Sequence, residues 1–130
     1  LMSSTLKFEG TLSLQAQGDG PLRTLMAECS HDRFIRGLAR YDEHAVTEDS
    51  LNALLGEGRM AITISPDKGQ RYQGVVPREE ESLAGCLEEY FERSEQIPTS
   101  FFLFADENCI AGLMLQKLPG DIDQNSDMCA

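Results

Sequence analysis

Apolar and polar residues alternate with a period of two along most of the first third of the chain. Residues 5–17 show this alternation with one interruption at Glu9 and Gly10, which predicts a bent strand or a hairpin. The turn cluster GDGP follows, and the alternation resumes over residues 22–29 and 34–41. Because the connections are short and rich in turn residues, this part of the chain is predicted to form an antiparallel meander.

The middle of the chain predicts a short helix followed by a second hairpin. Thr47 is the expected N-cap of the helix, and Gly56 is its expected stop. Residues 60–64 then alternate, the segment SPDKGQ forms a turn, and residues 71–76 return as the partner strand.

The strongest helix pattern covers residues 82–95. Apolar side chains recur there every three or four positions, which predicts one buried face, and Glu89 stands four residues before Arg93 in the favourable orientation for an ion pair. Pro98 prevents any continuation of the helix because proline has no amide donor and biases the preceding residue toward extended backbone.

Two apolar runs follow the proline, at residues 101–105 and 109–116. Their lengths suit strands, and the three residues DEN between them suit an antiparallel hairpin. Because both runs are apolar on both faces, we expect them in a layered interior rather than on an open surface.

The predicted fold class is α+β, with mainly antiparallel sheets in two layers and one long and one short helix packed against them. The domain is expected to cover residues 1–118, and the polar, acidic segment 119–130 is expected to begin a linker. The first and last residues carry no start or stop pattern, so both ends are expected to be cuts in a longer chain.

Composition excludes some classes of partner. The chain has 130 residues, with 11 basic and 22 acidic side chains and a net charge of -11, and this charge repels a phosphate backbone. Nucleic acid is therefore not an expected partner. No apolar run reaches the roughly 20 residues of a spanning helix, and the first residues do not form a signal peptide. The expected location is the cytoplasm, without membrane association.

Motifs for catalysis or metal binding are weak. The segment CSHD contains a nucleophile, a base and an acid, but neighbours on a strand point to opposite faces, so a turn capped by Ser or Asp is the better interpretation. His31 and His44 have no second histidine or cysteine at ligand spacing. Residues 121–127 begin like a calcium loop but lack its glycine and its final glutamate. We therefore expect no catalytic residues, no metal ligands and no cofactor in this chain.

Four segments resemble a known family: QAQGDGPL, RYQGVVP, ESLAGCLEEYFERSEQIPT and AGLMLQKLPG. They are similar to the core domain of Hsp33, the redox-regulated bacterial chaperone, and the resemblance runs from Ser3 to about Gly120. It implies an ATP-independent holdase of the bacterial cytosol that captures unfolding proteins during oxidative stress. It also implies a homodimer formed by exchange of parts of the core.

The resemblance further implies a separate C-terminal switch domain in which four cysteines, in CxC and CxxC pairs, bind zinc. This chain has neither motif. Its four cysteines, which match none of those ligands and receive no redox or zinc role, are Cys29, Cys86, Cys109 and Cys129. Helices that the family has before STLKFEG are also missing.

We expect client proteins to bind part of the apolar strand surface, because the strands carry more apolar residues than one face can bury. The hypothesis names Leu12, Leu14, Phe101, Leu103, Leu113 and Leu115. The competing interpretation is that all six lie in the core or in a dimer interface. Two other functions remain open: a cysteine-dependent redox enzyme, such as a peroxidase using Cys86 or Cys109, and a pure oligomerisation domain.

Overall fold

The computed structural model describes residues 1–118 except Thr47 and Asp49. Five strands form one antiparallel sheet: β1 (Gly10–Gly18), β2 (Leu22–Ser30), β3 (Ile35–Tyr41), β4 (Gly58–Pro66) and β5 (Tyr72–Val76). Their order across the sheet is β3-β2-β1-β4-β5. The predicted meander and the predicted second hairpin are therefore both confirmed, and the pairing of β1 with β4 joins them into one sheet.

The central strand β1 supplies the inner face of this sheet. Its alternate residues Leu12, Leu14 and Ala16 are buried, and they stand opposite Ile64, Ile62 and Met60 of β4. The strand begins at Gly10 rather than at Thr5, because Met2–Thr5 forms a 3-10 turn. Residues before Gly10 thus have an apolar pattern without strand geometry, and they pack against the core through Met2 and Leu6.

The short helix α1 (Leu51–Leu55) is confirmed, with a later start than predicted. The hydroxyl of Ser50 caps it by accepting a hydrogen bond from the amide of Ala53 at 3.2 Å, whereas the predicted cap, Thr47, lies outside the described residues. Gly56 ends the helix as predicted, with a φ of 63° that favours glycine.

The long helix starts as α2 (Leu83–Tyr90) and continues as a π-helical turn over Phe91–Glu95. The predicted ion pair is present, with Arg93 2.5 Å from Glu89. The helix ends at Gln96, which has left-handed backbone with a φ of 56°, and Pro98 follows two residues later.

The last two strands, β6 (Thr99–Ala105) and β7 (Ile110–Gln116), pair with each other as a separate antiparallel hairpin. The predicted fold class, α+β with antiparallel sheets and two helices, is confirmed. The expectation that this hairpin lies in a layered interior is wrong for the described part of the chain. Phe102, Phe104 and Ile110 are more than half exposed.

The predicted linker at 119–130, including the segment compared with a calcium loop, lies outside the described residues.

Candidate functional site

The helix α2 holds the separate hairpin on the rest of the domain. Ser82 starts it by accepting a hydrogen bond from the amide of Gly85 at 3.0 Å. Its apolar residues then recur at helical spacing, which buries one face; the buried side chains are Cys86, Leu87, Tyr90 and Phe91. Because α2 contacts both β5 and β6, the same helix covers the five-stranded sheet and supports the hairpin.

Two contacts attach β6 to α2. The ring of Phe101 is buried, and its centre lies 5.7 Å from the ring centre of Phe91 in a tilted arrangement. The amide of Phe101 also donates a hydrogen bond of 2.7 Å to a carboxylate oxygen of Glu88. Since an ionised acceptor strengthens a hydrogen bond, Glu88 fixes the point at which the hairpin leaves the domain.

Strand alternation then determines which hairpin residues face away from α2. Phe101 and its partner Met114 share the side that faces the core, so Phe102 and its partner Leu113 share the opposite side. We define the outer hairpin face as the large apolar side chains on that opposite side: Phe102, Phe104, Leu113 and Leu115. They are 57%, 56%, 53% and 55% exposed, respectively.

The outer hairpin face is therefore a contiguous apolar surface on a strongly acidic domain. Complete burial of a Leu or Phe side chain is worth about 1.5–3 kcal/mol, so the exposed half of each residue is worth about 1 kcal/mol. Clusters of this kind, unlike single exposed apolar residues, mark interaction surfaces.

The six residues predicted from the sequence for client binding divide into three groups. Leu12, Leu14 and Phe101 are buried within the protomer, at 7%, 7% and 4% exposure. Leu113 and Leu115 belong to the outer hairpin face. Leu103 is 43% exposed but lies on the same side of the hairpin as Phe101. The six residues therefore do not form one surface.

Sequence reasoning missed Phe102 and Phe104, which contribute the aromatic part of the outer hairpin face. The run FFLF is apolar at every position, so its alternation is hidden. One signal was available in the sequence. Phe101 comes soon after Pro98 and the end of the helix, so it is expected to face the core. Every second residue from Phe101 then faces the core, which places Phe102 and Phe104 on the opposite side.

The turn of the hairpin is closed by Asp106. One of its carboxylate oxygens accepts hydrogen bonds from the amides of Asn108 and Cys109, both at 2.8 Å. These two bonds favour the ionised form, and they lower the pKa of Asp106 below its ordinary value.

The turn predicted at the segment CSHD is confirmed at His31 and Asp32, while Cys29 and Ser30 are the last residues of β2. The hydroxyl of Ser30 donates to the carboxylate of Asp32 and accepts from the amide of Phe34 at 3.1 Å. The Nδ1 atom of His31 instead lies 3.0 Å from the amide of Gly10. A nucleophile, a base and an orienting acid therefore do not converge at this segment.

The cysteines in the described part of the chain form no disulfide; they are Cys29, Cys86 and Cys109. Cys86 is fully buried against the core, and this burial raises the pKa of its thiol. A reactive thiol requires the opposite shift together with access to solvent. Cys109 is exposed at the hairpin turn, where its amide bonds to Asp106.

A cavity of about 850 Å³ lies between the N-terminal turn, the five-stranded sheet and the base of the hairpin. Its lining is mostly apolar and includes Leu12, Ile64 and Met114, with Lys7 and Glu95 as its charged residues. Tyr90 also lines it, and burial, more than the nearby Tyr72 hydroxyl, raises the pKa of Tyr90. Because Met114 lines it, the cavity lies on the core-facing side of the hairpin, opposite the outer hairpin face.

Across the described residues, none of the helices is both long and apolar enough to pass through a bilayer. The fold is an α+β domain that exposes an apolar surface, the outer hairpin face.

Comparison with known proteins identifies the family. A family model described as Hsp33 protein matches residues 1–129. The chain is 54% identical over 120 residues to the 33 kDa chaperonin of Hahella chejuensis (strain KCTC 2396), and the aligned region covers 92% of this chain and 42% of that protein. It is 46% identical over 127 residues to the 33 kDa chaperonin of Shewanella sp. (strain MR-4), and the aligned region covers 98% of this chain and 44% of that protein.

A solved structure agrees with this result. The crystal structure of the 33 kDa chaperonin (Hsp33 homologue) from Thermotoga maritima superposes with a TM-score of 0.67 at 25% identity, covering 88% of this chain and 42% of that one. The chain belongs to the Hsp33 family, as its sequence motifs predicted. It spans less than half the length of these relatives.

Proposed function

We propose that this chain is the client-binding core of an ATP-independent chaperone, a holdase that captures unfolding proteins during oxidative stress. The observation that carries the proposal is the outer hairpin face, where four large apolar side chains are each about half exposed. The names of the relatives, which are 33 kDa chaperonins, support the same class of function.

Apolar burial explains how such a surface can hold many different clients. The hydrophobic effect depends on area rather than on a specific partner sequence, so any exposed apolar segment of an unfolding protein is a ligand. Four half-exposed side chains offer about 4 kcal/mol of gross burial energy, which suits weak and reversible capture. The net charge of -11 keeps the loaded complex soluble.

The proposal places the protein in the cytoplasm as a homodimer. Within the described residues, β6 and β7 pair only with each other, so each strand has an open edge. A second copy can pair with such an edge, and this observation also favours the alternative function of a pure oligomerisation domain. In that case the outer hairpin face is an interface between copies and does not bind clients.

The third alternative, a cysteine-dependent redox enzyme, is poorly supported. Cys86 is buried with a raised pKa, which opposes thiolate formation. Cys109 is accessible, but the charged group that contacts it in the turn is the carboxylate of Asp106, whereas reactive thiols are found beside positive charge. Neither thiol therefore has the setting of a peroxidatic cysteine.

Light scattering tests the proposal. A client protein is heated alone and with increasing amounts of this chain, without ATP, and its aggregation is followed by light scattering. In a separate measurement, size-exclusion chromatography with multi-angle light scattering gives the oligomeric state of the chain. We expect dose-dependent suppression of aggregation. A folded dimer that leaves client aggregation unchanged at every ratio would instead establish the oligomerisation domain.

A second arm of the same assay addresses redox control. The chain is treated with peroxide before the client is added. Because none of the four cysteines matches a zinc ligand implied by the family resemblance, suppression should be equal before and after peroxide. An increase after oxidation would contradict this part of the proposal.

A further inference from the structure

Three chain segments that are distant in sequence meet at one end of the five-stranded sheet. Glu9 immediately precedes β1, His31 follows β2 and Asp67 follows β4. Because β1 lies between β2 and β4 and runs antiparallel to both, its start adjoins their ends. This arrangement brings one imidazole and two carboxylates together at the surface, and none of the three residues belongs to the hairpin of β6 and β7.

The backbone fixes the three segments relative to one another. The amide of Asp67 donates to the carbonyl of Glu9 at 2.9 Å, and the amide of His31 donates to the carbonyl of Gly10 at 2.8 Å. The His31 ring is held as well, since its Nδ1 atom lies 3.3 Å from the carbonyl oxygen of Gly10. With the imidazole proton on Nδ1 and donated to that carbonyl, the lone pair on Nε2 is available to a metal ion.

The side chains themselves converge. One ligand atom from each of Glu9, His31 and Asp67 can be chosen so that all three lie within 4.8 Å of one another. In a tetrahedral zinc site with bond lengths of about 2.0–2.2 Å, two ligand atoms are at most roughly 3.6 Å apart. All three side chains are exposed, so small rotations at the surface bring them within this limit.

The two carboxylates of the group make no ion pair with Lys or Arg. None of the salt bridges in the described part of the chain includes Glu9 or Asp67. Two carboxylates thus lie close together outside any ion pair of the described residues, on a chain that already carries a net charge of -11. A divalent cation relieves their repulsion, and the imidazole nitrogen supplies a ligand that favours first-row transition metals over magnesium or calcium.

We propose that Glu9, His31 and Asp67 form a surface site for a divalent transition-metal ion, with zinc as the best match. Three protein ligands leave a further coordination position open to water. The site is distinct from the cysteine zinc site that the family resemblance implies, because it contains no thiol. It is also independent of the proposed client binding.

Isothermal titration of the complete, reduced and metal-free chain with zinc tests the proposal. Two histidines make a matched pair of variants possible: His31→Ala removes a ligand, and His44→Ala removes the other imidazole of the chain. Asp67→Asn provides a second test that leaves the contact between His31 and Gly10 in place. Circular dichroism checks that every variant remains folded.

We expect one zinc ion per chain and unchanged zinc affinity in His44→Ala. Zinc affinity should fall by at least about tenfold in both His31→Ala and Asp67→Asn, because even the loss of a residue that only contacts a metal ligand lowers affinity by this amount. Excess magnesium should not displace the zinc. Unchanged affinity in His31→Ala would overturn the proposal. So would a thiolate charge-transfer band on addition of cobalt, since that band would assign the bound metal to the cysteines.

Discussion

Removal of two leucines from the outer hairpin face should weaken client capture without unfolding the domain. Leu113 and Leu115 are 53% and 55% exposed, so replacement of each by serine removes about 1 kcal/mol of apolar surface that is available to a partner. The double variant loses about 2 kcal/mol, which corresponds to roughly 30-fold weaker binding. Because a little under half of each side chain is already buried in the folded chain, the free energy of unfolding should fall by about 1 kcal/mol for each substitution, which leaves the domain folded.

The matched control removes more exposed apolar surface from elsewhere. Ile35 on β3 and Val75 on β5 are 78% and 75% exposed, and each lies on a strand at an edge of the five-stranded sheet. The double variant Ile35→Ser with Val75→Ser should protect clients as well as the unchanged chain does. Protection is measured as the amount of chain that halves the light scattering of a heated client. Equal losses in both double variants would show that total apolar exposure, rather than the hairpin, determines binding, and no loss in either would refute the assignment.

Three further predictions follow from the hairpin, its attachment and its turn. Glu88→Ala should destabilise the attachment of the hairpin by about 1.5–3 kcal/mol, seen as faster amide exchange in β6, whereas Glu92→Ala on the exposed side of the same helix should not. Asp106 has a lowered pKa in the folded state, so its stabilisation of the turn is complete above the ordinary pKa of 3.8 and disappears as the pH falls through the lower folded pKa. An NMR titration that follows the amide signal of Cys109 measures this folded pKa. A midpoint at or above 3.8 would contradict the prediction. Iodoacetamide should modify Cys109 in the folded chain and leave Cys86 unmodified, as measured by mass spectrometry, and rapid modification of Cys86 would revive the redox enzyme alternative.

Local patterns were sufficient to predict most of the elements. The alternation in β1, the three-and-four spacing of the residues that α2 buries, and the short connection between β6 and β7 are all properties of neighbouring residues. The same holds for the ion pair between Glu89 and Arg93, which depends only on helical spacing. These features could be predicted because each is determined within one element or one turn.

The layer in which the hairpin lies could not be predicted in this way. An apolar run such as FFLF has the same composition whether it is covered on both faces or on one. Here α2 buries Phe101, whereas Phe102 on the opposite side of the same strand remains 57% exposed. The exposure of the second face of the hairpin depends on whether another element of the fold packs against it, and this cannot be predicted from the residues of the hairpin alone.

The group formed by Glu9, His31 and Asp67 was missed for a related reason. Metal motifs are usually sought at short spacing along the chain, and this group is separated by 22 and 36 positions, the differences between the residue numbers 9, 31 and 67. Only the order of the strands places β1 between β2 and β4.

Site-specific photo-crosslinking tests the central claim most directly. Benzoylphenylalanine is introduced in place of Phe104 on the outer hairpin face or, as a control, in place of Val75, and the chain is irradiated while a client unfolds. We predict crosslinks to the client from position 104 and few from position 75. Crosslinks from position 104 to a second copy alone, or equal crosslinking of the client from both positions, would contradict the account.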